Sequence, residues 1–505
     1  MATEPASTSI SASEAYDELL EQYRRTTYLG DANGVLNWDQ EVTMPEGGTP
    51  ARSKQRGAVS AVAHDLLVDD DVGAWLETLS GAELTEERAA VVREIRRQHE
   101  RKAKVPTDLV EEISEATAEA HPVWREAREN DDFEAFAPTL ERLLELKREY
   151  ADHVDPDADP YAVLFADYEP YIDLETAEGI LERLREGLVS LIEAIRESDA
   201  DLHTVEGTFP ESDQLELARE ALDALGYDFQ RGRLDTAPHP FSTGTQFDAR
   251  VTTRFEESEP LDSLGSTIHE FGHAAYTQGL SREDYGSPLG EHRGLTVHES
   301  QSRLFENHVG RSEPFWAFFV PRFNDRHGTD LTPREAYEAA NRVYEDNLIR
   351  VEADELTYHL HIVLRFEIER ELVAGDLDVA EVPAVWNDRM EEYLGVRPET
   401  DREGCLQDIH WSHGSFGYFP TYSLGSVLAA QLYAAAESEI DGLGSRIRAG
   451  EFDALHGWLD ESVRRHGCRY PTDELIRRAS GESLTAEHFL EYAESKFGDL
   501  YGLAR

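Results

Sequence analysis

His269-Glu270-Phe271-Gly272-His273 is the stretch from which the rest of this chain can be read. Ahead of it, Leu261, Leu264 and Ile268 recur at three- and four-residue spacing, so 260–279 reads as a helix with one apolar face. On a helix, His269 and His273 stand one turn apart on the same face, where two imidazoles can reach one metal ion. Glu270 lies beside them, placed to take a proton from water activated by that ion. The bland alternative is an exposed helix with two solvated histidines.

A metal site that keeps a position open for water needs a third protein ligand. One known arrangement puts glycine three residues and histidine six residues after the second histidine. Here those positions are Tyr276 and Gly279, so that arrangement is excluded. The other takes a glutamate from a following helix. Glu299, 26 residues after His273, falls at the start of the next amphipathic segment within His298-Glu299-Ser300. Glu306, Glu291 and His292 compete for the role, and in so acidic a chain spacing alone does not choose among them.

Outward from this site, helical periodicity dominates. It runs through 14–30, 52–68, 84–103, 107–128, 133–151, 174–198 and 211–224, and again through 297–323, 333–346, 348–374 and 379–394. Thr332-Pro333-Arg334-Glu335 is a complete helix start, with an N-cap, a proline at the first position and a capping-box glutamate. Only Arg233 to Phe255 gains Thr, Phe and Val between Pro238, Pro240 and Gly244, as strands do. The expected fold is mainly α, one large helical body over 14–505 with a small β-sheet near the metal site. Residues 1–13 read as a flexible tail, and the Asp- and Pro-rich run 151–160 as the candidate sub-domain boundary.

The 505 residues carry 48 Lys+Arg against 103 Asp+Glu, a formal charge of −55. Such a surface repels phosphate backbones and anionic lipid, which argues against nucleic-acid and membrane partners. Hydrophobic residues make up 40 % and aromatics 9 %, enough for a large core and too many for disorder. Lysine occurs only at Lys54, Lys102, Lys104, Lys147 and Lys496. Scarce lysine under an even carboxylate coat suits a cytoplasm rich in salt, where the Debye length falls to about 3 Å at molar concentration. Two cysteines, Cys405 and Cys468, make no disulfide framework, and no apolar run suggests a signal peptide or a membrane span. A cytoplasmic protein is expected.

Further motifs stand in order around the pentapeptide. They are His239-Pro240-Phe241, Asp248-Ala249-Arg250-Val251-Thr252, Ile349-Arg350-Val351-Glu352-Ala353-Asp354 and Gly404-Cys405-Leu406-Gln407-Asp408-Ile409-His410-Trp411, with Trp38-Asp39-Gln40-Glu41-Val42-Thr43-Met44-Pro45 near the start. With His269–His273 and His298-Glu299-Ser300, this set resembles the carboxypeptidase Taq family of metallocarboxypeptidases. The resemblance implies a nearly all-helical protein with a deep groove, a catalytic Zn²⁺ or Co²⁺ in each subunit, and a homodimer. It implies release of single C-terminal residues from peptides with a free C-terminus, with broad specificity except for terminal proline. Carried over by motif, the metal ligands are His269, His273 and Glu299, and Glu270 is the general base.

Peptide hydrolysis also needs a donor to the developing oxyanion, and His239, Tyr422 and His410 are the candidates by resemblance and residue type. An exopeptidase must hold a terminal carboxylate, which the fork of an arginine pairs well. Arg350, on an expected helix, is the first choice, Arg250 the second, and Gln407 a further substrate contact. Two rival readings remain. One is an oligopeptidase or dipeptidyl carboxypeptidase sharing the same metal arrangement, and the other a helical scaffold that keeps the site without turnover.

Overall fold

The computed structural model describes residues 10–344 and 346–503. Of the tail expected over 1–13, residues 1–9 lie outside that range. Ser11 already belongs to the first helix, Ala12–Val42, through a capping box: its Oγ accepts from Glu14 N at 3.3 Å while its own N–H donates to Glu14 at 3.1 Å. The helix outruns its expected span, passing through Asn33-Gly34 and ending only just before Pro45. Together with Asp70–Leu79 and Glu86–Lys104 it buries Ala15, Leu19, Val72, Leu76, Val91 and Ile95 in an apolar cluster of its own.

The main core is built by Phe133–Val154, Leu174–Arg196, Glu211–Leu225, Thr357–Ala374, Pro420–Glu439 and their neighbours. Residues 155–159 form a short turn in which Asp159 caps the helix Pro160–Phe165. Leu140 before that turn and Tyr161 and Phe165 after it enter the same core. No described helix is long and apolar enough to cross a membrane.

The strand-like stretch forms a three-stranded sheet of β1 (Leu234–Thr236), β2 (Ser242–Thr245) and β3 (Asp248–Thr253), in the order β1-β3-β2. β1 runs parallel to β3, with Leu234 opposite Val251, and β2 antiparallel to it, with Thr245 opposite Asp248. One face of β3, Ala249 and Val251, is fully buried. At its end Thr253 Oγ1 meets Thr267 Oγ1 at 2.8 Å, which fixes the sheet to the helix Pro260–Gly279.

Three expected helices differ. The segment after Thr332 is helical only over Pro333–Ala339, and the next helix starts at Thr357. Between them the Asp354 carboxylate accepts from Tyr344 N at 3.1 Å, Leu356 N at 2.9 Å, Thr357 N at 3.0 Å and Thr357 Oγ1 at 2.9 Å, and from Asn347. A side chain that gathers so many donors competes with the helical ladder and holds the segment as a loop. Arg350 therefore sits in a single tight turn, Arg350–Glu352, and not on the helix expected over 348–374. Likewise 297–323 is no continuous helix: Leu295–Arg303 widens into a π-helical turn, Leu304–Gly310, before Glu313–His327.

Candidate active site

Three helices meet at the site. Pro260–Gly279 turns Leu264, Ile268 and Phe271 into the core, which leaves His269, Glu270 and His273 on its other side. Leu295–Arg303 crosses it at Gly272, where a Cβ would come within 2.4 Å of Gln301 O and Ser302 Cα. Glycine is thus needed for the two backbones to touch. Pro420–Glu439 approaches from a third direction through Gly425, whose Cβ would lie 2.4 Å from Glu299 Cγ.

The result brings His269, His273 and Glu299 together, with ligand atoms all within 4.8 Å of one another. Glu299 Oε2 is 3.4 Å from His273 Nε2 and 3.8 Å from His269 Nε2. Tetrahedral ligands about 2.1 Å from a zinc-like ion are about 3.4 Å apart, so two imidazoles and a carboxylate at this spacing fit such an ion. The opposite nitrogen of His269, Nδ1, is 2.8 Å from Glu306 Oε2, which fixes the ring with Nε2 turned toward Glu299. Arg303 ties both carboxylates, donating Nε to Glu299 Oε1 at 2.7 Å and Nη1 to Glu306 Oε2 at 3.2 Å. Arg311 adds a bond to Glu306 Oε1 at 3.1 Å.

Electrostatics sort the acids. Burial pushes Glu299 and Glu306 up, but Arg303 and the histidines, joined at Glu306 by Arg311, overcome it and hold both well below the usual carboxylate range. Glu270, 8 % exposed, has no arginine to offset its burial and its pKa is raised. One acid beside the ligand cluster is thereby made more basic than the carboxylate within it. Of the other ligand candidates, Glu306 lies on the far side of His269, while Glu291 accepts from Tyr23 at 2.8 Å and Thr27 at 3.2 Å. His292 Nε2 meets Thr277 Oγ1 at 2.9 Å.

A second cluster adjoins the first. Arg350 donates Nε and Nη2 to Asp408 Oδ1 at 2.9 and 2.8 Å and Nη1 to the Tyr358 hydroxyl at 3.2 Å. Arg365 holds the other oxygen of Asp408 at 2.6 Å, and the paired cations keep that carboxylate ionised against the penalty of burial. Tyr422, one turn before Gly425, lies with its ring 5.4 Å from the Arg350 guanidinium. Its hydroxyl is 3.4 Å from His410 Nε2. Burial lowers His410 to about 4, so its ring is neutral at pH 7, and raises the Tyr422 phenol, which stays a donor.

The other expected residues have different settings. His239 is exposed in the bend between β1 and β2. Arg250 pairs with Asp248 at 2.6 Å and lies 4.2 Å over the Trp38 ring, which Arg233 covers at 4.9 Å. Gln407 accepts from Arg350 N at 2.8 Å and donates to Glu403 O at 2.7 Å and Leu348 O at 3.2 Å, so its amide clamps the Arg350 loop. Arg303 and Tyr358 escaped sequence reasoning. Arg303 could have been found as the cation one helical turn after Glu299; Tyr358 gives no such signal.

A mostly helical body that brings two half-buried histidines and a buried glutamate together beside Glu270 has the donor set of a metal-binding hydrolytic protein. The family model of the carboxypeptidase Taq (M32) metallopeptidases matches residues 18–497, and the chain belongs to that family. It is 38 % identical over 506 residues to thermostable carboxypeptidase 1 of Thermus thermophilus, covering 97 % of this chain and 99 % of that protein. Among solved structures, the M32 carboxypeptidase of Deinococcus radiodurans superposes with a TM-score of 0.94 at 38 % identity, covering 97 % of this chain and 100 % of that one. Metallocarboxypeptidase 1 of Trypanosoma cruzi gives 0.94 at 36 % identity, covering 96 % and 100 %. Membership carries metallocarboxypeptidase chemistry on peptides and a divalent metal.

Proposed function

We propose that this protein removes single amino acids from the C-terminus of cytoplasmic peptides, with broad specificity except for terminal proline. The convergence of His269, His273 and Glu299 beside Glu270, next to Arg350, carries this reading. His269, His273 and Glu299 would hold one Zn²⁺ or Co²⁺ per subunit, which supplies activation of water and polarisation of the scissile carbonyl. Glu270, its pKa raised by burial, takes the proton of the attacking water and hands it to the leaving amine. Tyr422 donates to the developing oxyanion, with His410 behind it and His239 a third candidate donor.

Arg350 reads the terminal carboxylate. A guanidinium has five N–H groups, and three of these go to Asp408 and Tyr358, which leaves one on Nη1 and one on Nη2 for an end-on carboxylate pair. The Asp408 clamp fixes the direction of that fork. Arg250, paired with Asp248, and Gln407, clamping the loop, are the secondary substrate-side candidates. A homodimer and a salt-rich cytoplasm complete the proposal, the latter on the charge of −55. Arg350→Ala is the test: kcat/KM on blocked peptides with a free C-terminus should fall at least a hundredfold, with metal content unchanged. Unchanged kcat/KM would remove Arg350 from the site.

A further inference from the structure

Tyr358 touches both halves of the site. It stands in the first turn of Thr357–Ala374 and is 9 % exposed. Its hydroxyl accepts from Arg350 Nη1 at 3.2 Å, and the Arg303 guanidinium lies 4.7 Å over its ring. Arg303 in turn fixes the Glu299 oxygen that faces away from the histidines. A continuous path therefore runs Glu299–Arg303–Tyr358–Arg350–Asp408. The Tyr422 ring meets the Tyr358 ring edge-on at 6.1 Å, so the third member of the proposed machinery leans on the same side chain. The base of Tyr358 is held by Asp354, which accepts from Leu356 N and Thr357 N. Without that anchor a ring at a helix terminus would fray with its turn.

We propose that Tyr358 is a positioning residue that holds the carboxylate-reading Arg350 at a fixed distance from the metal ligands, and that this spacing limits the product to one amino acid. The inference rests on the reading of Arg350 given above. Its physical basis is the length of the chain: one further residue between carboxylate and scissile bond adds about 3.5 Å. A few ångströms of slack between the two subsites would therefore change the product class. A tyrosine can hold such a spacing at two ends, because its ring offers a face to one cation and its hydroxyl a lone pair to another.

The two ends can be cut separately. Tyr358→Phe keeps the ring over Arg303 and loses the bond to Arg350; Tyr358→Leu loses both. Kinetics on an N-terminally blocked peptide, product masses and Co²⁺ affinity by equilibrium dialysis are measured on the full-length protein, with Arg350→Ala in parallel. Tyr358→Phe should raise KM about tenfold, leave kcat within about threefold and bind Co²⁺ as the unmodified protein does. Tyr358→Leu should also weaken Co²⁺ binding about tenfold and release some dipeptide. A purely structural role would move all readouts together in both variants, and that result overturns the proposal. Unchanged KM in Tyr358→Phe beside a crippled Arg350→Ala overturns it alone. Full activity in Arg350→Ala overturns the carboxylate reading, and this inference with it.

Discussion

Glu306 sits behind His269, on the side away from Glu299, and its effect on the site is exerted through the imidazole. Held ionised by Arg303 and Arg311, it accepts from Nδ1 and leaves Nε2 as the lone-pair nitrogen a metal needs. Glu306→Gln keeps the shape and removes the charge. We expect Co²⁺ or Zn²⁺ affinity to fall about 10- to 100-fold, measured by competition with a chromogenic chelator. Affinity unchanged within a factor of two would mean that the contact is incidental. At this scale the sequence was informative where chemistry follows chain spacing. His269 and His273 are one helical turn apart, so their pairing is written locally; choosing Glu299 over Glu306 depends on which side of His269 each approaches, which only the crossing of two helices decides. Arg350 was named, but Asp408, which aims it, is 58 residues away. Its contact with Tyr358 crosses a loop that periodicity alone misreads as helix.

At the scale of the element, the site exists because helices come closer than side chains ordinarily allow. Gly272 lets Pro260–Gly279 touch Leu295–Arg303, and Gly425 makes room for the stem of Glu299. The obstructing atoms at Gly272 are backbone, which cannot rotate away. Gly272→Ala should therefore destabilise the protein by about 1–3 kcal/mol, despite the better helix propensity of alanine, which is worth about 1 kcal/mol in the opposite direction. Urea unfolding gives the sign: a midpoint at or above that of the unmodified protein would show that the helices can part without cost. The stretch 346–356 shows where periodicity misleads. Leu348, Ile349 and Val351 suggest a helical face, but the loop is set by the five donors that Asp354 gathers, and a buried carboxylate serving as a hub leaves no periodic trace.

At the scale of the molecule, the N-terminal cluster and the site share a loop. The stretch between the helices Pro260–Gly279 and Leu295–Arg303 holds Leu289, which joins the N-terminal apolar cluster, Glu291, which accepts from Tyr23 and Thr27, and Arg293, which pairs with the buried Glu94 at 2.9 Å. The N-terminal helices thus brace the segment from which Glu299 is presented. Over the surface lies the charge of −55. Exposed pairs such as Arg397 with Asp388 and Glu391, or Arg326 with Glu216, contribute little to stability and weaken in salt. The self-repulsion of 103 Asp+Glu against 48 Lys+Arg is relieved by the same screening. The melting temperature should therefore rise as KCl is raised from about 0.1 to about 2 M. A fall over that range would show that surface pairs outweigh the repulsion and would remove the salt-rich habitat from the account.

Release of one residue at a time from a free C-terminus is tested directly by the masses of the products. An N-terminally blocked pentapeptide is incubated with the protein in molar KCl, with Zn²⁺ or Co²⁺ and in parallel with a chelator. The expected result is a ladder that shortens by single residues from the C-terminus and is silenced by the chelator. Internal fragments, losses in pairs, or a metal-loaded protein that leaves the peptide intact would contradict it.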